Sequence, residues 1–198
     1  MHRNISMTRD TDQKGLTLKE ILILFACIAI VGIVSINVYV RLMERAKTIN
    51  LINQTATIIN NTFAFYKGHP PYKDLNNATA IELELIPAEM IHGKNKIQHP
   101  FKGSVIIRSL YENQGFTLVY RDLPSTVCRV IATTYWGGSA SGLKYMFVDN
   151  QKRSIPKRFP QKLAENQYDT SQIPLPKEDA AVVCKCKRNN CSITFIYQ

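Results

Sequence analysis

The stretch Gly15-Leu16-Thr17-Leu18-Lys19-Glu20, followed by an apolar run from Ile21 to Val40, decides how this chain is organised. The run contains no side chain with a formal charge. An α-helix needs about 20 such residues to cross the roughly 30 Å hydrocarbon core of a bilayer. The sequence therefore predicts a membrane-spanning helix over 16–40, with the carboxylate of Glu20 near its start.

Beyond this run the apolar residues become periodic. They recur at spacings of three and four residues, which predicts one face of an α-helix, with polar residues such as Thr48 turned outward. No proline interrupts 16–67, and Gly68 with Pro70-Pro71 then supplies stop signals. We expect one helix over 16–67, about 78 Å long at 1.5 Å per residue, whose amphipathic part, 41–67, packs on a globular domain. The predicted packing face consists of Leu42, Ala46, Ile49, Ile52, Ala56, Ile59 and Phe63.

The rest of the chain, 68–198, reads as one globular α+β head. A short polar link between the first two strand candidates predicts an antiparallel hairpin. The segment 149–175 is polar and charged and contains proline, so an exposed loop is expected there. The other expected elements are a helical turn around Ala80–Leu85, strands Ser104–Tyr111, Gly115–Arg121, Leu143–Val148 and Ser192–Tyr197, and helices from Pro124 to Thr134 and from Pro176 to about Cys186.

The composition is that of a basic protein with 198 residues and a net charge of +10. Such a charge suits nucleic acid or an anionic surface, but a solvated exterior is the simpler interpretation. We therefore do not expect nucleic acid as a partner. The basic residues concerned are Lys152, Arg153, Lys157, Arg158, Lys185, Lys187 and Arg188.

The sequence offers no recognisable catalytic site. It has no glycine-rich phosphate loop and no Gly-x-Ser-x-Gly, and its histidines do not have metal-ligand spacing. We expect a protein that is not an enzyme and needs no cofactor. The histidines are His2, His69, His92 and His99.

The cysteines divide into two groups. Cys27 lies in the apolar run and is interpreted as a packing residue, whereas the other four are late in the chain. Four cysteines allow three complete pairings, and the sequence does not choose among them. A metal site through Cys184, Cys186 and Cys191 is a rival interpretation, but the spacing is not a common zinc pattern and no histidine is near, so we expect no metal.

The register of Gly15, Glu20 and the apolar run resembles the processing site of type IV prepilins. The resemblance implies that a prepilin peptidase removes the leader, 1–15, and that Leu16 becomes an N-methylated N-terminus. A leader of this length is similar to those of the type IVb group. Glu20 would then be the fifth mature residue and would serve assembly. Its charge is costly near a bilayer interior, and the new amine of Leu16 in a neighbouring subunit would neutralise it; Lys19 is an alternative partner.

The C-terminal portion resembles the type IVb pilins of conjugative thin pili. The resemblance implies an α-β roll, in which the long helix packs against a twisted antiparallel sheet. It also points to a Cys128–Cys184 disulfide, after which Cys186 and Cys191 could pair. The matching pieces are Phe116-Thr117-Leu118-Val119-Tyr120, Leu123-Pro124-Ser125-Thr126-Val127-Cys128, Ala180-Ala181-Val182-Val183-Cys184 and Ile193-Thr194-Phe195.

The function expected from both resemblances is that of a structural pilus subunit. It would sit in the inner membrane with its N-terminus cytoplasmic and its head periplasmic, and polymerise through the assembly machinery into an extracellular filament. Adhesion, aggregation and conjugative contact are the expected roles. A minor pilin or a type II secretion pseudopilin is one alternative, and a membrane-anchored extracytoplasmic binding module that does not polymerise is another.

Overall fold

A computed structural model describes residues 18–66, 72–110, 114–137, 142–149, 167–186 and 190–198. The chain divides into two compact units, Met1–Glu44 and Arg45–Gln198. The first helix, α1 (Leu18–Tyr66), supplies residues to both units. The prediction of one uninterrupted helix is confirmed over these residues, whereas the predicted ends at 16 and 67 lie outside the described residues.

The first unit consists, in its described part, of the apolar half of α1. Large apolar side chains there are exposed, with 62% of Leu22 and 64% of Phe25 accessible. The most apolar 18-residue window of α1 has a mean hydropathy of 2.9, and none of it is buried. By length and composition this helix could cross a membrane.

The second unit is built on an antiparallel sheet, which has six strands in the described part of the chain. The strand order is β1-β2-β3-β6-β4-β5, so the last strand along the chain lies in the middle of the sheet. Residues 45–66 of α1, the packed half of this helix, belong to the same unit as the sheet. A helix packed with an antiparallel sheet confirms the predicted α+β arrangement. The strands are β1 (Ile97–Gln98), β2 (Ser104–Ser109), β3 (Phe116–Leu123), β4 (Leu143–Asp149), β5 (Gln167–Asp169) and β6 (Cys191–Tyr197).

The remaining helices are short and lie close to their predicted positions. The predicted turn around Ala80–Leu85 begins earlier, because the side chain of Asn76 accepts from the amides of Ala78 and Thr79 and so caps the helix there. Two further helices each follow a proline N-cap, as the sequence predicts. The helices are α2 (Asn77–Glu82), a 3-10 turn (Ala88–Met90), α3 (Ser125–Ala132) and α4 (Lys177–Val183).

The predicted hairpin is confirmed as β2 and β3, which pair antiparallel with Ile107 opposite Leu118. β2 ends at Ser109, and the amide of Leu110 then donates to the carbonyl of Gly115, whereas the predicted end, Tyr111, lies outside the described residues. β3 continues beyond the predicted Arg121 to pair with the start of β6.

Part of the predicted loop 149–175 is a strand. β5 pairs antiparallel with β4, with Tyr145 opposite Asp169 and Phe147 opposite Gln167. A strand of three residues is too short to show an alternating pattern, so the polar composition dominated the prediction. Residues 150–166 of that loop lie outside the described residues.

The predicted packing face of α1 is confirmed only in part. Ile59 is buried, and Ile52 and Phe63 pack against the core. Leu42, Ala46 and Ile49 are instead exposed. Ile49 is 60% exposed, whereas Thr48, expected to face outward, is buried. The buried stripe contains threonines whose hydroxyls donate to the carbonyl four residues earlier, as Thr62 does to Ile58 at 2.6 Å. Because that bond satisfies the hydroxyl, the methyl group can pack in the core. The buried residues are Thr48, Leu51, Gln54, Thr55, Ile58, Ile59, Thr62 and Tyr66.

Aromatic rings join the packed half of α1 to the sheet. Phe63 of α1 meets the ring of Phe116 edge-on at 5.5 Å and that of Tyr197 at 5.8 Å. Phe116 and Tyr197 stack on each other at 5.0 Å across β3 and β6. Edge-to-face contacts of this kind add to the stabilisation that burial alone provides.

A buried hydrogen bond fixes the same half of α1 to β3. The hydroxyl of Thr55 donates to the carbonyl of Leu51 or to the hydroxyl of Tyr120, each 2.7 Å away. Tyr120 is fully buried, and burial raises the pKa of its hydroxyl far above the ordinary value. Thr55 therefore gives a buried phenol a partner in the middle of the core.

Candidate functional site

The sequence places the first candidate site at the N-terminal end of the apolar helix. Glu20 lies in the first turn of α1, where the helix dipole favours a negative charge. Lys19 precedes it and is exposed. Gly15 and Leu16, the predicted cleavage and methylation positions, lie outside the described residues, as does the leader.

The apolar half of α1 presents an apolar surface that none of the described residues of its own unit covers. Ile28, Ile33 and Ile36 are each more than half exposed, and so is most of the segment around them. Cys27 lies on the same segment and is an exposed free cysteine. Soluble monomers rarely expose an apolar surface of this extent, which marks contact with membrane or with other protein.

The second candidate site is the group of late cysteines, which the structure brings together in two pairs. Cys128 of α3 is joined to Cys184, the C-cap of α4, with their Cα atoms 5.7 Å apart. Cys186 is joined to Cys191, the first residue of β6, with Cα atoms 5.3 Å apart. These are the pairs to which the resemblance to type IVb pilins points. The first bridge joins cysteines that are 56 residues apart, whereas the second joins cysteines that are 5 residues apart.

The two bridges adjoin each other. The sulfur atoms of Cys128, Cys186 and Cys191 all lie within 4.8 Å of one another. A tetrahedral thiolate site needs sulfurs at such separations, but each of these sulfurs is committed to a disulfide in the structure. The geometry consequently favours covalent bridges at this position.

The side-chain amide of Asn77 forms hydrogen bonds with the backbone of β2, a role that the sequence did not indicate. Its Nδ2 donates to the carbonyls of Val105 at 2.9 Å and Asn95 at 3.2 Å, while its Oδ1 accepts from the amide of Ile107 at 2.8 Å. Asn77 therefore occupies the hydrogen-bonding groups of β2 that a further strand would use. Since Nδ2 is fully engaged, the Asn-x-Thr pattern at this position does not present a free acceptor for glycosylation.

His99 is the second residue whose role the sequence did not indicate. It is buried, its Nε2 lies 2.8 Å from the carbonyl of Arg121, and its Nδ1 accepts from the amide of Phe101 at 3.2 Å. These contacts define a neutral imidazole, protonated on Nε2. Burial lowers the pKa of His99, opposed by the Arg121 carbonyl and by Asp122.

No residue larger than glycine fits at position 103, beside His99. A Cβ at Gly103 would collide with the carbonyl of Arg121 and with the imidazole of His99. The same turn is closed by the amide of His99, which donates to the carbonyl of Gly103 at 3.1 Å. His99 is therefore a structural residue that ties the β1–β2 turn to β3.

A polar cleft of about 280 Å³ lies beside this turn. Gln54 of α1 donates through Nε2 to Glu89 at 3.0 Å, and this bond is the main reason that the pKa of Glu89 is lowered. His92, which is exposed, also lines the cleft. Two further histidines, His2 and His69, lie outside the described residues.

The predicted basic cluster falls largely outside the described residues. Lys185 is described and exposed, which suits a solvated side chain. That nucleic acid is not a partner stays a prediction, because only one member of the cluster lies in the described part of the chain. The members that lie outside it are Lys152, Arg153, Lys157, Arg158, Lys187 and Arg188.

Comparison with known proteins identifies the second unit. The family model described as PilS N terminal, which represents type IV pilins, matches residues 45–197. A search of curated proteins gives no match. The matched range takes in the packed half of α1, the whole sheet and all four bridged cysteines. The chain therefore belongs to the PilS family of type IV pilins.

Proposed function

We propose that this chain is a type IVb prepilin, cleaved after Gly15 to leave Leu16 as an N-methylated N-terminus, and that the mature protein polymerises into a pilus. The proposal divides the chain into a leader (1–15), a transmembrane segment (16–40), an amphipathic segment (41–67) and a head (68–198). Membership of the PilS family supports a structural subunit that self-assembles and associates with a membrane.

The observation that carries the proposal is the contrast within α1. Its most apolar window has no buried residue, while the part from Leu51 to Tyr66 packs into the head. An exposed apolar helix is unstable in water unless lipid or other protein covers it. Lipid before assembly and neighbouring copies afterwards would both provide that cover.

Glu20 gives the assembly its register. An ionised carboxylate in an apolar surrounding is costly unless an opposite charge neutralises it. Cleavage after Gly15 creates such a charge, the α-amino group of Leu16, and a neighbouring copy would present it to Glu20. Each copy would then be placed relative to the next by one ion pair in an otherwise apolar contact.

The proposal also assigns partners and compartments. A prepilin peptidase and the inner-membrane assembly machinery would act on the chain, with its N-terminus cytoplasmic and its head periplasmic before the filament becomes extracellular. The bridges Cys128–Cys184 and Cys186–Cys191 suit that oxidising side of the membrane. Adhesion, aggregation or conjugative contact would be the role of the filament.

Mass spectrometry of filaments sheared from cells tests the processing step. We expect a mature N-terminus at Leu16 with a mass increase of one methyl group. An N-terminus at another residue would overturn the assignment of Gly15. The abundance of this chain in the same sample separates a major pilin, which would dominate, from a minor pilin or pseudopilin, which would be scarce.

A further inference from the structure

We propose that the Cys186–Cys191 bridge is the entry site for thiol–disulfide exchange, through which an external thiol reaches the buried Cys128–Cys184 bridge. The sulfur atoms of the two bridges lie close enough to exchange partners, so the bridges can react as one connected unit. This exchange takes place within the head and does not require polymerisation.

Burial restricts where an external thiol can attack. Cys128 and Cys191 are 0% exposed and Cys184 is 1% exposed, whereas Cys186 is only partly buried. Exchange requires that the attacking thiolate reach a disulfide sulfur. A dithiol reductant or a thiol–disulfide oxidoreductase can therefore attack the sulfur of Cys186 but not those of the inner bridge.

The first step opens the outer bridge. A thiolate of the external dithiol forms a bond with the sulfur of Cys186, the Cys186–Cys191 bond breaks, and its electron pair remains on the sulfur of Cys191. The hydroxyl oxygen of Ser125 lies 3.9 Å from that sulfur. Its proton can turn towards the new thiolate, and hydrogen bonding to a thiolate favours the charged form.

The second step transfers the exchange inward. The Cys191 sulfur lies within 4.8 Å of the Cys128 sulfur, so its thiolate can attack Cys128 after a small side-chain movement. A Cys128–Cys191 bond forms, the Cys128–Cys184 bond breaks, and Cys184 leaves as a thiolate that takes a proton. The second thiol of the external dithiol then displaces the sulfur of Cys186 from the mixed disulfide, and Cys186 leaves as a thiolate that takes a proton. The dithiol is thereby oxidised to a disulfide, and the head keeps one internal disulfide, Cys128–Cys191.

This connection has a consequence for folding. A head that first forms Cys128–Cys191 can reach the pairing seen in the structure by the reverse steps, without breaking all of its disulfides. The elements involved, α3, α4 and β6, are already held together by packing in the core that includes Cys128, Cys184 and Cys191. Packing would therefore select the final pairing after the bridges have formed.

The test uses the full-length chain in detergent, with Cys27→Ser to remove the remaining cysteine. The further change Cys186→Ser leaves Cys191 as a free thiol beside the inner bridge. We expect alkylation at equilibrium, followed by peptide mapping, to find two species: Cys128–Cys184 with alkylated Cys191, and Cys128–Cys191 with alkylated Cys184. Finding Cys128–Cys184 as the sole linked pair would overturn the proposal.

The matched control is the double variant Cys186→Ser/Cys191→Ser, which retains Cys27 as its free thiol. Cys27 lies in the first unit, and we expect Cys128–Cys184 to be the disulfide found in this control variant. Mispairing in this control would mean that exchange occurs between molecules, and the proposal would fall.

A measurement on the unaltered chain covers the case in which the variant does not fold. With limiting dithiothreitol and rapid alkylation, we expect molecules in which Cys184 is alkylated and Cys128 is linked to Cys191. If Cys186 and Cys191 are instead alkylated together while Cys128–Cys184 stays intact until the head is denatured, the two bridges are independent and the proposal is wrong.

Discussion

The two halves of α1 show that burial in this protein does not follow hydropathy. The half before Glu44 is rich in leucine and isoleucine and is exposed, whereas the half after Arg45 buries threonines and a glutamine. The difference lies in what each half contacts. The packed half has a sheet of its own chain beside it, and the apolar half must find its partner in lipid or in other copies of the protein.

The largest effect is expected at the start of the apolar half. Replacing Glu20 by alanine should abolish filaments in the sheared fraction, because the variant lacks the carboxylate that we propose to pair with a neighbouring amine. The head should remain folded, since Glu20 belongs to the other unit. Electron microscopy and quantification of sheared protein measure the outcome.

Glu44→Ala is the matched control, because Glu44 is an exposed acid on the same helix. It should leave filament yield close to that of the unaltered chain. Normal assembly by the Glu20→Ala variant would contradict the proposed register, and an absence of filaments from the unaltered chain would favour an anchored binding module that does not polymerise.

The next largest effect is expected in the packed half. Leu51→Ala removes a fully buried side chain and should lower the free energy of unfolding of the head by about 2–5 kcal/mol. Urea denaturation of the detergent-solubilised chain measures this through Trp136, the single tryptophan, whose ring lies 5.1 Å from that of Phe195.

The control for this prediction is Ile49→Ala on the exposed side of the same half, where Ile49 is 60% accessible. Its effect on the unfolding of the head should stay within about 0.5 kcal/mol. If both variants lower the free energy of unfolding by the same amount, Leu51 is not more deeply buried than Ile49, and the packing of this half of α1 differs from that in the structure.

A smaller effect is expected from Thr55→Val. The variant keeps the volume of the side chain but leaves the buried hydroxyl of Tyr120 without its partner, and a loss of about 1–3 kcal/mol follows. Thr57→Val is a close control, because Thr57 is exposed and makes the same contact with a carbonyl four residues earlier, that of Asn53. If both valine variants unfold at the same urea concentration, the Tyr120 contact does not stabilise the head.

The smallest effect at neutral pH is expected at His99. Because its pKa is lowered in the folded head, its contribution to stability is complete above the unfolded value of about 6.5 and is lost as the pH falls from there through the folded pKa. One such group changes stability by at most about 1.4 kcal/mol per pH unit.

Urea midpoints between pH 8 and pH 5 test this expectation. His99→Gln should reduce the fall in stability below pH 6.5, whereas His92→Gln, at an exposed histidine of the neighbouring cleft, should leave it unchanged. An identical pH profile for the unaltered chain and His99→Gln would show that His99 is not the group responsible.

Much of the fold was predictable because its signals are local. The apolar run, the absence of proline over 16–67 and the β-branched and aromatic residues of β2, β3, β4 and β6 are each signals carried by neighbouring residues. β1 and β5, with two and three residues, carry no such pattern. The packing face of α1 was predicted only in part, because threonine counts as polar in a periodicity argument although its hydroxyl can be satisfied within the helix.

The site residues divide in the same way. The late cysteines could be singled out by residue type alone, and Glu20 by its position before the apolar run, although the role of Glu20 stays a prediction. Asn77 and His99 act through backbone groups more than twenty residues away, at Val105, Ile107 and Arg121. No spacing in the sequence points to such contacts, and only the paired strands bring their members together.

The position of β6 has a consequence for export. Without this strand, β3 and β4 have nothing to join them, and the sheet falls into two fragments, β1-β2-β3 and β4-β5. A head translocated in chain order would thus remain incomplete until its last strand, Cys191–Tyr197, had emerged. Because Cys191 is the first residue of that strand, the sheet could be completed, and Cys191 could form its disulfide, only after β6 had crossed the membrane. Until then the head would remain incompletely folded and could still be translocated.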